Sequence, residues 1–148
     1  MAMKLHDHFK EFLRLFNEHR VEYLLIGGYA VGIHGYPRAT KDLDLWIRAT
    51  PENARKVSLA MQEFGFPPEI VPPVRFTNPD AIFRMGFPPV RIELTTSISG
   101  VDFDACHSHA IQASLDGVSV PVIALEDLKV NKKASGRHRD LDDLEHLP

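Results

Sequence analysis

The sequence predicts an α+β domain in which helices flank a mixed β-sheet, and three patterns support this prediction. Apolar residues between positions 4 and 19 recur at helical spacing with charged residues between them, which is typical of an amphipathic helix. Residues 42–48 alternate polar and apolar side chains, as a half-buried strand does. Asp116-Gly117 separates the apolar runs 110–115 and 118–123 and so predicts a β-hairpin.

The first half of the chain is predicted to alternate helices and strands. The apolar run 21–26 predicts a buried strand, and Gly27-Gly28 ends it in a turn. A short helix is expected over 30–34, because a glycine and then a proline follow it closely. Residues 50–64 predict a longer helix with a threonine N-cap and a proline at its first helical position.

The second half is predicted to contain mainly antiparallel strands, followed by two helices. Prolines recur between positions 67 and 79, so we expect an irregular connection with short edge strands there. The segments 81–85 and 90–95 predict two strands joined around a glycine. Residues 125–134 and 141–147 predict the closing helices.

Composition indicates one globular domain, residues 1–148, with a net charge of −3. Cys106 is the only cysteine, which excludes an internal disulfide and a cysteine-based zinc site and fits the reducing cytoplasm. Charged residues within positions 1–10 argue against a secretory signal. The longest uncharged run of mainly apolar residues, 23–33, is too short to span a bilayer, so no membrane association is expected.

One pair of motifs indicates enzymatic chemistry. Gly27-Gly28 follows an apolar run, and Asp42 and Asp44 follow at the next predicted strand. Side chains at i and i+2 leave a strand on the same face, and two adjacent carboxylates repel each other unless a cation lies between them. A glycine turn lets a phosphate approach backbone N–H groups. Together these features predict metal-assisted phosphoryl or nucleotidyl transfer.

The order of these residues resembles the signature of the polymerase-β-type nucleotidyltransferase superfamily. Within it, the segment 27–44, with its Arg-x-Thr sequence at 38–40, resembles the minimal nucleotidyltransferases. That group includes the toxins of type IV abortive-infection systems. The run 125–143 is similar to the closing motif of the same group, and the resemblance extends over about residues 20–146. It implies a small nucleotidyltransferase-type domain.

The resemblance also implies a catalytic site. Asp42 and Asp44 would bind Mg²⁺, and Glu93 would be the third carboxylate that completes a site for one or two ions. The family more often has aspartate at that position, so Glu93 is a departure from its pattern. Gly27 and Gly28 would hold the phosphates at the start of the following helix.

Further residues would contact the nucleotide, and the reaction would release pyrophosphate. Arg38, Thr40 and Lys132 would contact the NTP, and Asp140 would orient Lys132 or the acceptor. The transferred nucleoside monophosphate would pass to a hydroxyl of an RNA, a protein or a small molecule such as an aminoglycoside. The sequence does not select among these acceptors or among the bases. An antitoxin-like partner protein is expected if the chain is a toxin.

Each of these residues also has a structural interpretation. Gly27-Gly28 alone indicates only a tight turn, and the two aspartates are compatible with solvated acids on a half-buried strand. Lys132 and Asp140 are compatible with a solvated helix end. Trp46 is expected to pack beneath a helix rather than to stack on a nucleobase. His107 and His109 are expected at the surface, on one face of a strand.

Two alternative functions belong to other classes. A catalytically reduced copy of the fold could act as a binding partner in a two-gene module, and the Glu93 departure keeps this alternative open. A divalent-metal phosphohydrolase would need more histidine or aspartate ligands than the motifs supply.

Overall fold

The computed structural model describes residues 4–37, 40, 42–87 and 90–148. Within these ranges the helices are α1 (Asp7–Glu18), α2 (Gly27–Ile33), α3 (Pro51–Phe64), α4 (Phe103–His109), α5 (Leu125–Ser135) and α6 (His138–His146). The strands are β1 (Tyr23–Ile26), β2 (Asp42–Ile47), β3 (Ile82–Phe87), β4 (Val90–Thr95), β5 (Ile111–Leu115) and β6 (Val118–Val122). A short 3₁₀ helix, Pro73–Phe76, follows α3.

The strands form one mixed sheet in the order β3-β4-β2-β1-β6-β5. The pairs β2–β4 and β1–β6 are parallel, whereas β1–β2, β3–β4 and β5–β6 are antiparallel. Parallel pairing of β2 with β4 requires the chain to leave the sheet between them, which α3 and the proline-rich segment accomplish. The predicted α+β fold with a mixed sheet is confirmed.

Aromatic residues from α1 pack against the sheet and form one end of the hydrophobic core. Phe12 and Phe16 contact each other with ring centroids 4.4 Å apart, and Phe16 also meets Tyr23 of β1 at 5.5 Å. Trp46 is buried on β2 and packs edge-on against Phe103 of α4 at 5.1 Å. In the part of the chain that the structure describes, no helix has the length and apolarity needed to cross a membrane.

The structure corrects several local predictions. Helix α2 begins at Gly27, so the glycines form its first turn rather than a separate loop. Residues 65–81 contain a 3₁₀ helix and turns but none of the expected edge strands. His107 and His109 lie on α4 and not on a strand, so they do not share a strand face. Helix α6 begins at His138, three residues before the predicted start.

Candidate active site

The pairing of β2 with β4 brings the predicted carboxylates together. Asp44 is paired with Glu93, and Asp42 is paired with Arg91. Asp42, Asp44 and Glu93 all line a cleft of about 610 Å³ between the strand ends and helix α5. We refer to this space below as the cleft. The structure therefore places the two aspartates on the same side of β2, beside the third predicted acid.

Gly27 and Gly28, at the start of α2, each pack closely against a different side chain. Gly27 has φ of +68° and lies so close to Asp44 that an added Cβ would overlap its carboxylate. An added Cβ on Gly28 would lie 2.5 Å from Thr40 Oγ1. Gly27 lines the cleft, whereas Gly28 and Thr40 do not. Close packing against the aspartate strand and its preceding loop is therefore sufficient reason for both glycines.

Two arginines engage the outer carboxylates, and we call these contacts the strand-side pairs. Arg91 donates from Nε to Asp42 Oδ1 at 3.2 Å and from Nη2 to Asp42 Oδ2 at 2.7 Å. Arg84 of β3 donates from Nε to Glu93 Oε2 at 2.7 Å. Both contacts are charge-assisted, and the fork of Arg91 occupies both oxygens of its partner. Among the described residues no ion pair reaches Asp44.

Asp44 has an unusual electrostatic environment. Burial raises its pKa to about 6, and the nearby charges of Glu93 and Asp42 act in the same direction. Lys132 and Arg91 partly oppose this rise. Burial disfavours the charged form of a carboxyl group, and nearby like charges add to that effect, so the raised pKa reflects first the burial of Asp44 and then its proximity to the other two acids.

On the opposite wall, helices α5 and α6 meet in a group that we call the helix-side network: Lys132, Ser135, Arg137, Asp140 and Asp143. Lys132 Nζ lies 3.0 Å from Asp140 Oδ1 and 3.0 Å from Asp143 Oδ2. The side chains of Lys132 and Asp140 are only 6% and 1% exposed. Ser135 and Arg137 donate to Asp140 Oδ2 at 2.6 and 2.8 Å.

This network fixes the charge state of its central acid. Burial by itself raises a carboxyl pKa, but hydrogen bonds from Arg137, Ser135 and Lys132 hold the pKa of Asp140 well below its ordinary value. Asp140 lies behind Lys132 and does not line the cleft, whereas Lys132 does. Its geometry thus suits orientation of the lysine rather than contact with a ligand.

The donor types at the cleft fit a hard divalent cation, since carboxylate oxygens are the ligands that Mg²⁺ prefers. Within the described ranges, however, no three histidine, cysteine or acidic side chains converge as a ready metal site. Asp42 and Glu93 face arginines instead. The three carboxylates are the type of ligand that Mg²⁺ prefers, but Asp42 and Glu93 already form ion pairs with arginines.

Sequence patterns did not single out the strand-side arginines. Arg91 lies two residues before Glu93 and therefore on the same face of β4, which is a signal that strand periodicity could have provided. Arg84 and Ser135 carried no local signal. Arg38 lies outside the described residues, so its predicted role as a nucleotide contact stays a prediction.

Solved structures resemble this fold over most of its length. TM1012 of Thermotoga maritima, described as a nucleotidyltransferase, is 15% identical with a TM-score of 0.62, covering 93% of this chain and 88% of its own. Lincomycin-bound LnuA, a lincosamide antibiotic adenylyltransferase, is 15% identical with a TM-score of 0.57, covering 98% and 97%. The antibiotic-resistance factor ANT(2'')-Ia is 11% identical with a TM-score of 0.58, covering 93% and 79%.

No protein-family model matches the chain, and no curated protein matches it in sequence. At 11–15% identity the structural likeness establishes the fold and leaves the chemistry to the residues of the cleft. The chain shares the fold of these nucleotidyltransferase structures, which is the fold that the resemblance of its motifs implied.

Proposed function

We propose that this protein transfers a nucleoside monophosphate from an NTP to an acceptor hydroxyl and releases pyrophosphate. The observation that supports this most directly is that Asp42, Asp44 and Glu93 line one cleft of a nucleotidyltransferase fold. Paired acids at i and i+2 of a strand, faced by a third acid on the next strand, are suited to metal-assisted phosphoryl transfer.

The charges around the acids suit a triphosphate. Arg84, Arg91, Lys132, Arg137 and Arg139 line the same cleft. Guanidinium groups bind phosphate in a bidentate manner, and a charged wall draws anionic ligands into a cleft. Gly27 lets the start of α2 approach the Asp44 carboxylate closely. Arg38, Gly28 and Thr40 remain proposed contacts of the nucleotide.

In the proposed reaction the acceptor oxygen forms a bond to the α-phosphorus, and the bond from that phosphorus to the pyrophosphate oxygen breaks. The acceptor proton leaves to a base or to water. We propose that Asp42, Asp44 and Glu93 hold Mg²⁺, which would neutralise charge on the reacting phosphate and leaving group. The protein's own contribution is to hold the carboxylates side by side and to orient the phosphates with its basic residues.

The acceptor is proposed to be a small hydroxylated molecule, an RNA or a protein. LnuA is named as an adenylyltransferase of an antibiotic, and its fold covers nearly all of this chain, which supports a small-molecule acceptor as one option. A role as the toxin of a toxin–antitoxin pair would instead need an RNA or protein acceptor and a partner protein. We place the activity in the cytoplasm, where NTP and Mg²⁺ are abundant.

The proposal can be tested by following label from NTPs. The protein is incubated with Mg²⁺ and each common NTP, labelled on either the α- or the γ-phosphate, together with total RNA, a protein lysate or a panel of aminoglycosides and lincosamides. Transfer of α-label but not γ-label to one acceptor class is the expected result, and Asp44→Asn is the inactive control. Transfer of γ-label would indicate a kinase and contradict the proposal.

A second candidate function is favoured by one observation. Arginines occupy Asp42 and Glu93, as they could in a catalytically reduced copy that acts as a binding partner. Thermal unfolding separates the two candidates, because a protein that binds nucleotide and metal in its folded state is stabilised by them. A rise in the melting temperature with Mg²⁺ plus NTP supports the enzyme, and its absence together with tight binding of a partner protein supports the reduced copy.

A further inference from the structure

Of the two strand-side pairs, Arg91–Asp42 covers its carboxylate more completely. Both carboxylate oxygens accept a hydrogen bond from the same guanidinium, at 3.2 and 2.7 Å. The pair is part of the sheet register itself, because Asp42 and Arg91 are directly paired on β2 and β4. A divalent cation would take one or both of these oxygens as ligands, and its positive charge would repel the guanidinium, so the guanidinium and the metal compete for one carboxylate.

This contact is placed where it can be exchanged. The side chains of Arg91 and Asp42 are 35% and 25% exposed, so water competes for the pair and screens it. Partly exposed ion pairs of this kind contribute little to stability. The Lys132–Asp140 pair across the cleft is almost fully buried and has further hydrogen-bond partners, so it lacks this freedom.

A triphosphate offers the guanidinium a better partner than Asp42. It carries several negative charges and pairs of oxygens at the spacing of the guanidinium fork. Arg91 lines the cleft, so a change of its side-chain rotamer would present the guanidinium to a phosphate bound there. Once the guanidinium has moved, both Asp42 oxygens become available.

We propose that Arg91 is a latch that occupies Asp42 until a triphosphate takes its guanidinium, so that nucleotide and divalent metal bind this cleft cooperatively. This inference rests on the proposed function and deepens it, since it assigns Arg91 a positioning role at the same site. The latch predicts that the free protein binds metal weakly. By linkage, metal must favour nucleotide by the same factor as nucleotide favours metal.

The metal side of the latch is tested without nucleotide, by titrating Mn²⁺ into the free protein and following unbound Mn²⁺ by electron paramagnetic resonance. Arg91→Gln should bind Mn²⁺ at least about fivefold more tightly than wild type, the lower end of ordinary coupling. Arg139→Gln is the matched control, because it removes the same charge from the same cleft without touching Asp42. Equal gains in the two variants would mean a general field effect and overturn the latch.

The nucleotide side is tested in EDTA at pH 8 with whichever of ATP, GTP, CTP and UTP binds best. Asp42→Asn releases Arg91 and removes one charge, whereas Asp44→Asn removes one charge only. The latch predicts that Asp42→Asn gains at least about fivefold more affinity than Asp44→Asn. The added gain should disappear in the double variant Asp42→Asn/Arg91→Gln, which makes the two changes non-additive.

The outcomes separate this inference from the function beneath it. Nucleotide binding with equal Mn²⁺ affinity in wild type and Arg91→Gln would overturn the latch and leave nucleotidyl transfer standing. If no NTP binds any variant, with or without Mg²⁺, the proposed function fails and the latch fails with it. Circular dichroism of each variant confirms folding, and Arg91→Lys, which cannot bridge both oxygens, is the second variant.

Discussion

The two walls of the cleft carry similar charge pairs in different surroundings. On the strand side, Arg91–Asp42 and Arg84–Glu93 are partly exposed pairs between neighbouring strands. On the helix side, Lys132 lies between Asp140 and Asp143, and all three are almost fully buried. We infer from this comparison that the strand-side arginines can leave their carboxylates for a ligand, whereas the helix-side network keeps its contacts and supports the cleft.

The difference follows from the cost of burying charge. A buried ion pair is kept by many hydrogen bonds, and removing one partner leaves an uncompensated charge in the interior. An exposed pair loses little when it separates, because water replaces the lost contact. We therefore expect substitutions on the helix side to affect folding and substitutions on the strand side to affect ligands.

The largest effect is expected on transfer activity at Asp44, which lies between the two walls. Asp44→Asn should lower transfer by about a thousandfold or more, because it removes a proposed ligand of the Mg²⁺ that would neutralise the charge of the reacting phosphate. The measurement is α-label transfer under saturating NTP. Glu69→Gln, which removes an exposed acid away from the cleft, is the control and should remain active. Retained Mg²⁺-dependent transfer in Asp44→Asn would contradict the assignment.

The same variant should be more stable than wild type above pH 6. The pKa of Asp44 lies at about 6 instead of 3.8, so its ionised form opposes folding. The neutral form favours folding below pH 4, and this contribution is lost as the pH rises through 6. Asp44→Asn should therefore gain about 1–3 kcal/mol at pH 8 and little at pH 4. Urea unfolding at both pH values measures this gain. An equal gain at pH 4 and pH 8 would contradict the raised pKa of Asp44.

Stability gives the direct test of the two walls. Lys132→Met should cost about 3–5 kcal/mol of unfolding free energy, because Asp140 and Asp143 lose their buried cation. Arg91→Gln on the strand side should cost less than about 1 kcal/mol. Arg137→Gln is the control within the network, since its side chain is 75% exposed although it shares Asp140 with Lys132. Similar costs for Lys132→Met and Arg91→Gln would abolish the distinction.

Glu93 sharpens the comparison from the strand side. Glu93→Gln should lower kcat by about 10–100-fold and change NTP affinity little, because a metal that acts on the acceptor matters chiefly in the transition state. Glu93→Asp should retain part of the activity, since it keeps the carboxylate with one methylene less reach. Single-turnover rates and equilibrium binding separate the two effects. A fully active Glu93→Gln would leave Glu93 a structural partner of Arg84.

The smallest effect concerns protons released by Mg²⁺. With a pKa of about 6, Asp44 is mostly protonated at pH 5 and ionised at pH 8 in the metal-free protein. Mg²⁺ binds the ionised form, so it should release close to one proton at pH 5 and almost none at pH 8. Calorimetry in buffers of different ionisation enthalpy measures this release. Its persistence in Asp44→Asn would assign the proton to another group.

Local patterns predicted most of the fold. The amphipathic spacing of α1, the alternation along β2 and the turn residues between β5 and β6 each act within a few residues, so the sequence alone reveals them. Helix α4 escaped prediction because seven residues are too few to display a helical period, although Asp102 caps it by accepting from Ala105 N. The start of α2 was missed because glycine is a weak helix former.

The candidate site was only half visible in the sequence. The spacing of Asp42 and Asp44 places them on one face without any knowledge of the rest of the sheet. The contact of Arg91 with Asp42 depends on the register of two strands that are distant in sequence, and nothing in either strand encodes that register alone. The helix-side network likewise depends on how α5 and α6 cross. Pairing between segments that are distant in sequence thus brings to the cleft the residues that the sequence motif did not reveal.

The central claim is that nucleotide and metal meet at Asp42 and Asp44. A crystal structure with Mn²⁺ and a non-hydrolysable α,β-methylene NTP tests it most directly, because anomalous scattering locates each metal ion. The account predicts Mn²⁺ bound by both aspartates, the triphosphate in the cleft and the Arg91 guanidinium on phosphate oxygens instead of on Asp42. A nucleotide bound outside the cleft, or Mn²⁺ with no ligand from either aspartate, would contradict it.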